Sequence, residues 1–156
     1  SIIVGNLPFN ISVELLYLLT KTNSWPPNQK KMFLMFQKEV ANRIIASTNN
    51  KSYGKLSVIV QSRYFVKKIF DAPSSIFKPK PKVDATILEF TPHTKFRSIN
   101  INKIDEVTKA AFSQRRKKIK NNLSDYQDII NKLSIKSDLR AENLSVLDYC
   151  RIAENI

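Results

Sequence analysis

The chain has 156 residues, with 26 Lys and Arg against 13 Asp and Glu, a formal net charge of +13 and 42% hydrophobic residues. That hydrophobic content suffices for a packed core and excludes a disordered basic tail, while the charge favours a polyanionic partner such as RNA. The single cysteine excludes an internal disulfide, and the lack of a bilayer-spanning apolar run or a signal motif leads us to expect a cytoplasmic protein without a membrane partner.

The first element is the apolar run Ile2 to Val4, which predicts a short buried strand. Asn6, Leu7, Pro8 and Phe9 come directly after it, at the carboxyl end where open α/β sheets collect ligands. The Asn6 side-chain oxygen and the Leu7 carbonyl could each accept one N–H of an adenine amine. Pro8 fixes the backbone, and Phe9 offers a flat stacking face. Taken alone, the tetrapeptide is more often an ordinary turn than a site for an unstacked base.

Two helices and a strand are predicted next. Residues 12–20 have a dense apolar helix pattern, residues 31–37 are typical of a buried strand, and residues 39–46 have one apolar helix face. Trp25 stands beside two prolines and is expected to cover the edge of a core. Leu56 to Val60 is β-branched and locally predicts a strand.

The stretch Phe77 to Lys82 is predicted to be extended, because its prolines exclude helix and restrict the residues before them. On the residues alone it is a stiff, charged connector. Residues 83–90 then predict a strand, and the composition shifts to short helices rich in Lys and Asn, which predicts a domain boundary near residues 95–100. His93 is the only histidine, and we expect a loop residue without a catalytic role.

The remaining residues predict a small helical domain. Asn102 is expected to cap its first helix, and capping boxes are predicted at Ser124 and Ser145. Cys150 is expected to be a buried, inert thiol. A basic cluster crowds the end of the first helix: Arg115, Arg116, Lys117, Lys118 and Lys120. On pattern alone such a cluster is usually a solvated surface, and cations at a helix C-terminus are favourable without a ligand.

Taken together, these segments resemble the ribosomal RNA adenine dimethyltransferases over nearly the whole chain. The resemblance starts at Gly5 to Ser12. Further matches follow in the order that this family shows: Gln37 to Ala41 with Arg43, Tyr53 to Val58, Phe77 to Asp84, Phe112 to Lys118, and Arg140 to Ser145. The third and fourth of these matches look like the small-subunit branch, which dimethylates two adjacent adenines near the 3′ end of its RNA. The antibiotic-resistance branch, which modifies large-subunit RNA, is the nearer alternative.

The resemblance implies an α/β fold with two parts. Residues 1–96 would be the C-terminal part of a Rossmann-like class I methyltransferase sheet on the substrate-adenine side. Residues 97–156 would be a small all-helical domain that binds RNA and docks the enzyme. In place of the locally predicted strand, the resemblance implies a helix, followed by a strand near Tyr64 to Phe70.

The sequence lacks the glycine-rich loop that would bind a methyl-donor cofactor. Class I methyltransferases hold S-adenosylmethionine with a glycine-rich turn, but this chain has two glycines, Gly5 and Gly54, which are too far apart to form that loop. By resemblance, the cofactor-binding half would precede residue 1, and the chain by itself is expected to be inactive. The apolar edge at Ile2 to Val4 would then be left unpaired.

The resemblance also implies roles for the site residues. Asn6 to Phe9 would form the catalytic site, with Asn6 also touching the cofactor, and no metal is expected. Phe77 would close over the adenine face opposite Phe9. Backbone phosphates would be held by Lys78, Lys80 and Lys82. The basic cluster also matches the family. Contact with RNA is therefore about as well supported for this cluster as a purely structural role at the end of the helix.

The implied function is transfer of methyl groups from S-adenosylmethionine to N6 of two adjacent adenines in immature small ribosomal subunits, with a role in ribosome biogenesis. The alternative from another class is a non-catalytic RNA-binding or ribosome-assembly module. Cofactor binding separates these two functions, because only the enzyme requires S-adenosylmethionine.

Overall fold

The computed structural model describes residues 1–76, 79 and 84–156, and in them the chain forms a mixed α/β fold. The strands are β1 (Ile2–Gly5), β2 (Lys31–Gln37), β3 (Tyr64–Ala72) and β4 (Ala85–Pro92). The helices are α1 (Phe9–Thr20), α2 (Lys38–Ile45), α3 (Lys55–Gln61), α4 (Ile101–Ala111), α5 (Ile119–Asn122), α6 (Gln127–Lys132) and α7 (Val146–Glu154). The α/β fold class predicted from the sequence is confirmed.

The strands form one sheet in the order β1-β2-β4-β3. β1 and β2 are parallel and joined by α1, whereas β4 runs antiparallel to both of its neighbours. Alternate residues of β2 and β4, such as Leu34 and Leu88, are buried on one face. There they pack against Leu16 of α1, Ile44 of α2 and Val60 of α3. These three helices therefore share one face of the sheet.

β1 is a strand as predicted, but the prediction that it is buried is wrong. Ile2 is 63% exposed and Val4 is 78% exposed. β1 pairs with β2 along one edge, and none of the residues described pairs with its other edge. An apolar run indicates burial only if another element covers it, and the part of the chain described here supplies none. Among these residues β1 is thus an edge strand with an apolar exposed face.

α3 is helical, as the resemblance implied and against its local β-branched pattern. Leu56 and Val60 point into the cluster beneath the sheet, while Val58 and Ile59 belong to the second buried cluster, formed with the C-terminal helices. A helix can bury two opposite faces at once, so tertiary packing outweighs the weak local preference for strand.

The second buried cluster joins α4 and α7 with residues from before the expected domain boundary. Tyr53 is fully buried in it, and its hydroxyl donates to the Leu144 carbonyl at 2.8 Å. Burial raises the Tyr53 pKa well above its usual value. The helical part of the chain is thus built around a segment that precedes α3.

The cap predictions had mixed outcomes. The N-cap of α4 is Asn100, whose side chain accepts the Asn102 N–H at 2.9 Å, so the assignment of the cap to Asn102 was wrong. Ser124 starts a short 3-10 turn and caps no helix. The Ser145 capping box is confirmed, with reciprocal hydrogen bonds to Asp148 of 2.9 and 3.0 Å.

Candidate functional site

The candidate site lies where the parallel strands β1 and β2 end side by side. Gly5, the last residue of β1, is paired with Leu34, and β2 continues to Gln37 before α2 begins. A Cβ on Gly5 would meet the Leu34 side chain at 2.9 Å, so the glycine permits close packing between the strands. Asn6 to Phe9 therefore leave the sheet at its carboxyl edge, as the sequence predicted.

Local geometry holds this tetrapeptide in a fixed path. Pro8 is the N-cap of α1, with φ −53° and ψ 133°, and its carbonyl accepts the Ile11 N–H at 3.1 Å. The Ser12 hydroxyl donates to the Phe9 carbonyl at 3.1 Å. Asn6 is exposed, and within the described residues no hydrogen bond occupies its side chain or the Leu7 carbonyl. Among the described residues, two acceptors from adjacent positions thus stand without a partner at the turn that leads into α1.

The predicted aromatic and basic loop lies largely beyond what the structure covers. Phe77, Lys78, Lys80 and Lys82 all lie outside the described residues, so their expected roles stay predictions. The chain just after them is anchored: the Asp84 carbonyl accepts the N–H of Lys38, the first residue of α2, at 3.0 Å. Asp84 therefore lies at the same carboxyl edge of the sheet that carries Asn6.

Arg115 is engaged within the protein. Its Nη2 donates to the carbonyl oxygens of Lys51 and Tyr53, both at 2.7 Å, and the guanidinium lies 5.7 Å from the centre of the Phe112 ring. These bonds tie the segment after α4 to the loop before α3. Arg115 therefore has a structural contact in addition to the RNA contact expected of it.

The other members of the basic cluster are exposed. Lys118 and Lys120 share the carboxylate of Asp138 at 3.6 and 3.4 Å, and all three side chains are about half exposed or more. Such pairs are weak in water and leave the lysines accessible. Arg116 and Lys117 are exposed and have no carboxylate partner in the described part of the chain.

An ion cluster that the sequence did not predict joins three elements beside Tyr17. Asp105 of α4 lies 2.5 Å from the amine of Lys21 and 2.6 Å from that of Lys55. Both lysine amines are within 5.7 Å of the centre of the Tyr17 ring. The sequence contained one indication that Lys55 is important: it lies in the segment Tyr53 to Val58, which matches the family.

Three residues for which the sequence predicted no catalytic or binding role, His93, Trp25 and Cys150, are buried in the structure. His93 is buried, and its Nε2 lies 2.9 Å from the Gln61 carbonyl; burial lowers its pKa. The Trp25 indole is buried at the core edge as predicted, and it donates to the His93 carbonyl at 2.7 Å. Cys150 is buried as expected, and burial raises the pKa of its thiol to about 12.

The described residues contain neither a metal-ligand cluster nor a membrane-spanning helix. Across residues 1–76, 79 and 84–156, no three His, Cys, Asp or Glu side chains are grouped closely enough to hold a metal ion. In the same residues, every helix is too short or too polar to span a bilayer.

Comparison with known proteins gives a consistent match. The family model described as ribosomal RNA adenine dimethylase matches residues 1–156. A ribosomal RNA small subunit methyltransferase A from Wigglesworthia glossinidia brevipalpis is 42% identical, over 99% of this chain and 59% of the relative. The protein of the same name from Legionella pneumophila strain Lens is 40% identical, over 99% of this chain and 60% of the relative. The chain thus spans about 60% of the length of these curated relatives.

Solved structures share the fold. A dimethyladenosine transferase from Plasmodium falciparum superposes with a TM-score of 0.87 at 24% identity, covering 99% of this chain and 66% of the other. The 23S rRNA methyltransferase ErmE superposes with a TM-score of 0.67 at 14% identity, covering 98% of this chain and 64% of the other. At these identities the likeness establishes the fold alone.

Proposed function

This chain belongs to the ribosomal RNA adenine dimethylase family, and we propose on that basis that the whole protein transfers methyl groups to N6 of two adjacent adenines near the 3′ end of small-subunit ribosomal RNA. Its partner would be the immature small ribosomal subunit, and its role would be in ribosome biogenesis. Residues 1–96 would supply the acceptor side of the active site, and residues 97–156 would bind and dock on RNA.

The observation that carries this proposal is the position of Asn6 to Phe9. Two neighbouring acceptors, the Asn6 side-chain oxygen and the Leu7 carbonyl, stand unoccupied by the described residues at the carboxyl edge of the sheet. An exocyclic amine has two N–H groups and fits this pair. Phe9 is half-buried at the start of α1, which limits the positions that its ring can take for stacking.

The chemistry of adenine explains how such a site would act. The N6 lone pair is conjugated with the ring, which makes the amine a poor nucleophile. Accepting both of its hydrogens at Asn6 and Leu7 would draw the nitrogen toward a geometry in which the lone pair is available. Asn6 carries no charge, so its contribution would be positioning and polarisation rather than removal of a proton.

The methyl donor implied by the family is S-adenosylmethionine. The described residues do not form a glycine-rich cradle for it, since Gly5 packs against Leu34 and Gly54 adjoins Arg115, whose Nη1 would lie 3.7 Å from an added Cβ. Asn6 is the described residue that we assign to contact the donor as well as the acceptor. The chain's own residues thus account for positioning of the acceptor amine.

The test is methyl transfer by the whole protein to undermethylated small-subunit particles. Asn6→Ala is expected to lower the rate about 100-fold or more, because comparable losses follow removal of one polar group from a preorganised site. RNA affinity should change less than twofold. Asn23→Ala, in the exposed loop after α1, is the matched control and should retain full activity.

The outcomes separate the alternatives. Equal losses of rate and RNA affinity in Asn6→Ala would contradict the positioning role. Label on large-subunit RNA instead of small-subunit particles would overturn the substrate assignment. An unsubstituted protein that binds RNA but not S-adenosylmethionine would be a non-catalytic assembly module.

A further inference from the structure

A cavity lies at the edge of the sheet opposite to Asn6. It has a volume of about 360 Å³ and is lined in part by Tyr64, the first residue of β3. Tyr64 pairs with Pro92 at the end of β4, and Phe90 of β4 pairs with Met32 near the start of β2. Because β1 and β2 are parallel, the cavity is at their amino edge, whereas the acceptor site is at their carboxyl edge. A ligand in the cavity would therefore not touch the target adenine.

The cavity lies between the two buried clusters. We call it the linker cavity, because it adjoins the segment between β4 and α4, and define it by six lining residues: Ile45, Phe65, Val66, Lys95, Phe96 and Val146. Ile45 and Val66 pack against the cluster beneath the sheet, whereas Phe96 and Val146 pack against the cluster of the C-terminal helices. Its volume falls within the range of small-molecule sites, which often lie between structural units. A ligand that filled it would contact both clusters.

One wall of the linker cavity is a row of three rings. The centre of the His93 ring lies 4.7 Å from that of Phe65 and 6.1 Å from that of Phe96. Nδ1 of His93 accepts the backbone N–H of Lys95 at 3.2 Å, so Nε2 carries the proton and donates to the Gln61 carbonyl at 2.9 Å. Both ring nitrogens are thus occupied, and the row presents aromatic surface to a ligand.

A single cation accompanies this apolar lining. The Lys95 amine lies 4.8 Å from the centre of the Phe65 ring. In the described part of the chain, no carboxylate lies within ion-pair distance of this amine, and Lys95 supplies the one formal charge among the lining residues. Its contact with the ring is favourable, but the ammonium can still pair with an anion. Apolar walls and one cation match a ligand that has an apolar body and one negative charge.

The surroundings of the cavity disfavour a macromolecular occupant. β3 is an edge strand that carries the exposed Lys67 and Lys68, and its pairing register shifts between Lys68 and Phe70. Lysines and irregularities of this kind oppose the addition of a further strand, from a peptide or from a second copy of the chain. A nucleic-acid backbone is held by several polar and cationic contacts, whereas this lining offers one cation. A small molecule is therefore the expected occupant.

We propose that the linker cavity binds a small aromatic carboxylate, with its ring against Phe65 and Phe96 and its carboxylate paired with Lys95. This site is separate from the proposed function, because it lies at the other edge of the sheet from the acceptor site. A bound ligand contacts both buried clusters and stabilises their packing. It should therefore raise the Tm of the protein by about 3 °C at ten times its Kd.

The test uses phenylbutyrate as the probe. Saturation-transfer difference NMR on the whole protein would measure its affinity, and a Kd of about 1 mM is expected for a ligand of this size. Phenylbutanol has the same ring without the charge, and it should bind about fivefold more weakly. Lys95→Gln should weaken the binding of phenylbutyrate by a similar factor, and it should not change the binding of phenylbutanol.

A matched pair of variants locates the site. Val146 is the first residue of α7, where a carboxylate is compatible with the helix dipole, so Val146→Glu should fold. Its carboxylate would pair with Lys95 and repel phenylbutyrate, which should weaken binding by about tenfold or more. Leu147→Glu adds the same charge at the next residue, which is 53% exposed and does not line the cavity, and it should change the affinity less than about twofold. Circular dichroism would check that both variants are folded.

Equal affinities of Val146→Glu and Leu147→Glu for phenylbutyrate would overturn the proposal. It would also be overturned if phenylbutanol bound as tightly as phenylbutyrate, or if neither bound at twenty times the expected Kd. A sedimentation coefficient that falls in Val146→Glu alone would assign the cavity to a second copy of the chain. Tighter binding of a blocked peptide of alternating Glu and Phe would assign it to a protein partner.

The result is independent of catalysis. Failure of methyl transfer by the unsubstituted protein would contradict the proposed function and leave the phenylbutyrate measurement unaffected. Conversely, loss of the linker cavity as a ligand site would leave the acceptor site at Asn6 unchanged.

Discussion

Arg115 belongs to a basic motif, yet its side chain stabilises the fold through hydrogen bonds to the backbone. Its guanidinium reaches the carbonyl oxygens of Lys51 and Tyr53, both at 2.7 Å, which a lysine ammonium cannot match with the same planar geometry. Arg115→Lys is therefore expected to lower the free energy of unfolding by about 1 kcal/mol. Urea unfolding followed by circular dichroism would measure the difference.

Arg116 provides the matched comparison for this prediction. It is the next residue, it is exposed, and the described residues include no hydrogen-bond partner of its side chain. Arg116→Lys should change the unfolding free energy by less than about 0.5 kcal/mol. Similar losses in the two variants would contradict the structural role of Arg115.

At the scale of elements, Asp105 connects α4 to α3 and to the end of α1. Burial by itself would raise the Asp105 pKa, but hydrogen bonds and charge from Lys21 and Lys55 outweigh it and hold the pKa below its ordinary value of 3.8. A lowered folded-state pKa stabilises the protein above the unfolded-state pKa, and this stabilisation is lost as the pH falls through the folded-state value. The ion pairs among these elements should therefore weaken in acid.

Asp105→Asn tests this linkage. The variant should lose about 1 kcal/mol of unfolding free energy at pH 7, because two lysines are left near each other without their shared carboxylate. The loss should shrink below about pH 4, where the wild-type carboxylate also becomes protonated. Urea unfolding across this pH range would measure it, with Asp128→Asn, an exposed carboxylate, as the control. A loss that does not vary with pH would show that the effect is steric.

At the scale of the whole molecule, the exposed edge and face of β1 predict self-association of the polypeptide. Ile2 and Val4 are 63% and 78% exposed on a strand whose second edge has no partner among the described residues. The 156-residue polypeptide is therefore expected to form dimers or larger species at micromolar concentration. Sedimentation velocity over a concentration series would detect them.

A charge on this strand should suppress the association. Val4→Lys is expected to shift the polypeptide toward monomer, because lysines on edge strands oppose pairing. Leu147→Lys is the control, since Leu147 is an exposed apolar side chain on α7, 53% exposed and remote in sequence from the edge. A monodisperse monomer before any substitution would contradict the prediction.

Local sequence was sufficient for features that depend on neighbours within a few residues. The strand β2 and the Ser145 capping box were predicted correctly, because a short apolar, aromatic run and an N-cap hydrogen bond both involve residues only a few positions apart. Asn6 to Phe9 were placed at a strand end for the same reason. Their catalytic roles, and those of the basic cluster, remain predictions.

Tertiary structure decided the features that depend on contacts across the chain. The exposure of β1, the helical state of α3 and the clamp between Arg115 and Tyr53 could not be predicted from local pattern. The last of these joins residues 62 positions apart. Burial and side-chain pairing are set by which elements meet in space, and a residue's own neighbours in sequence do not contain that information.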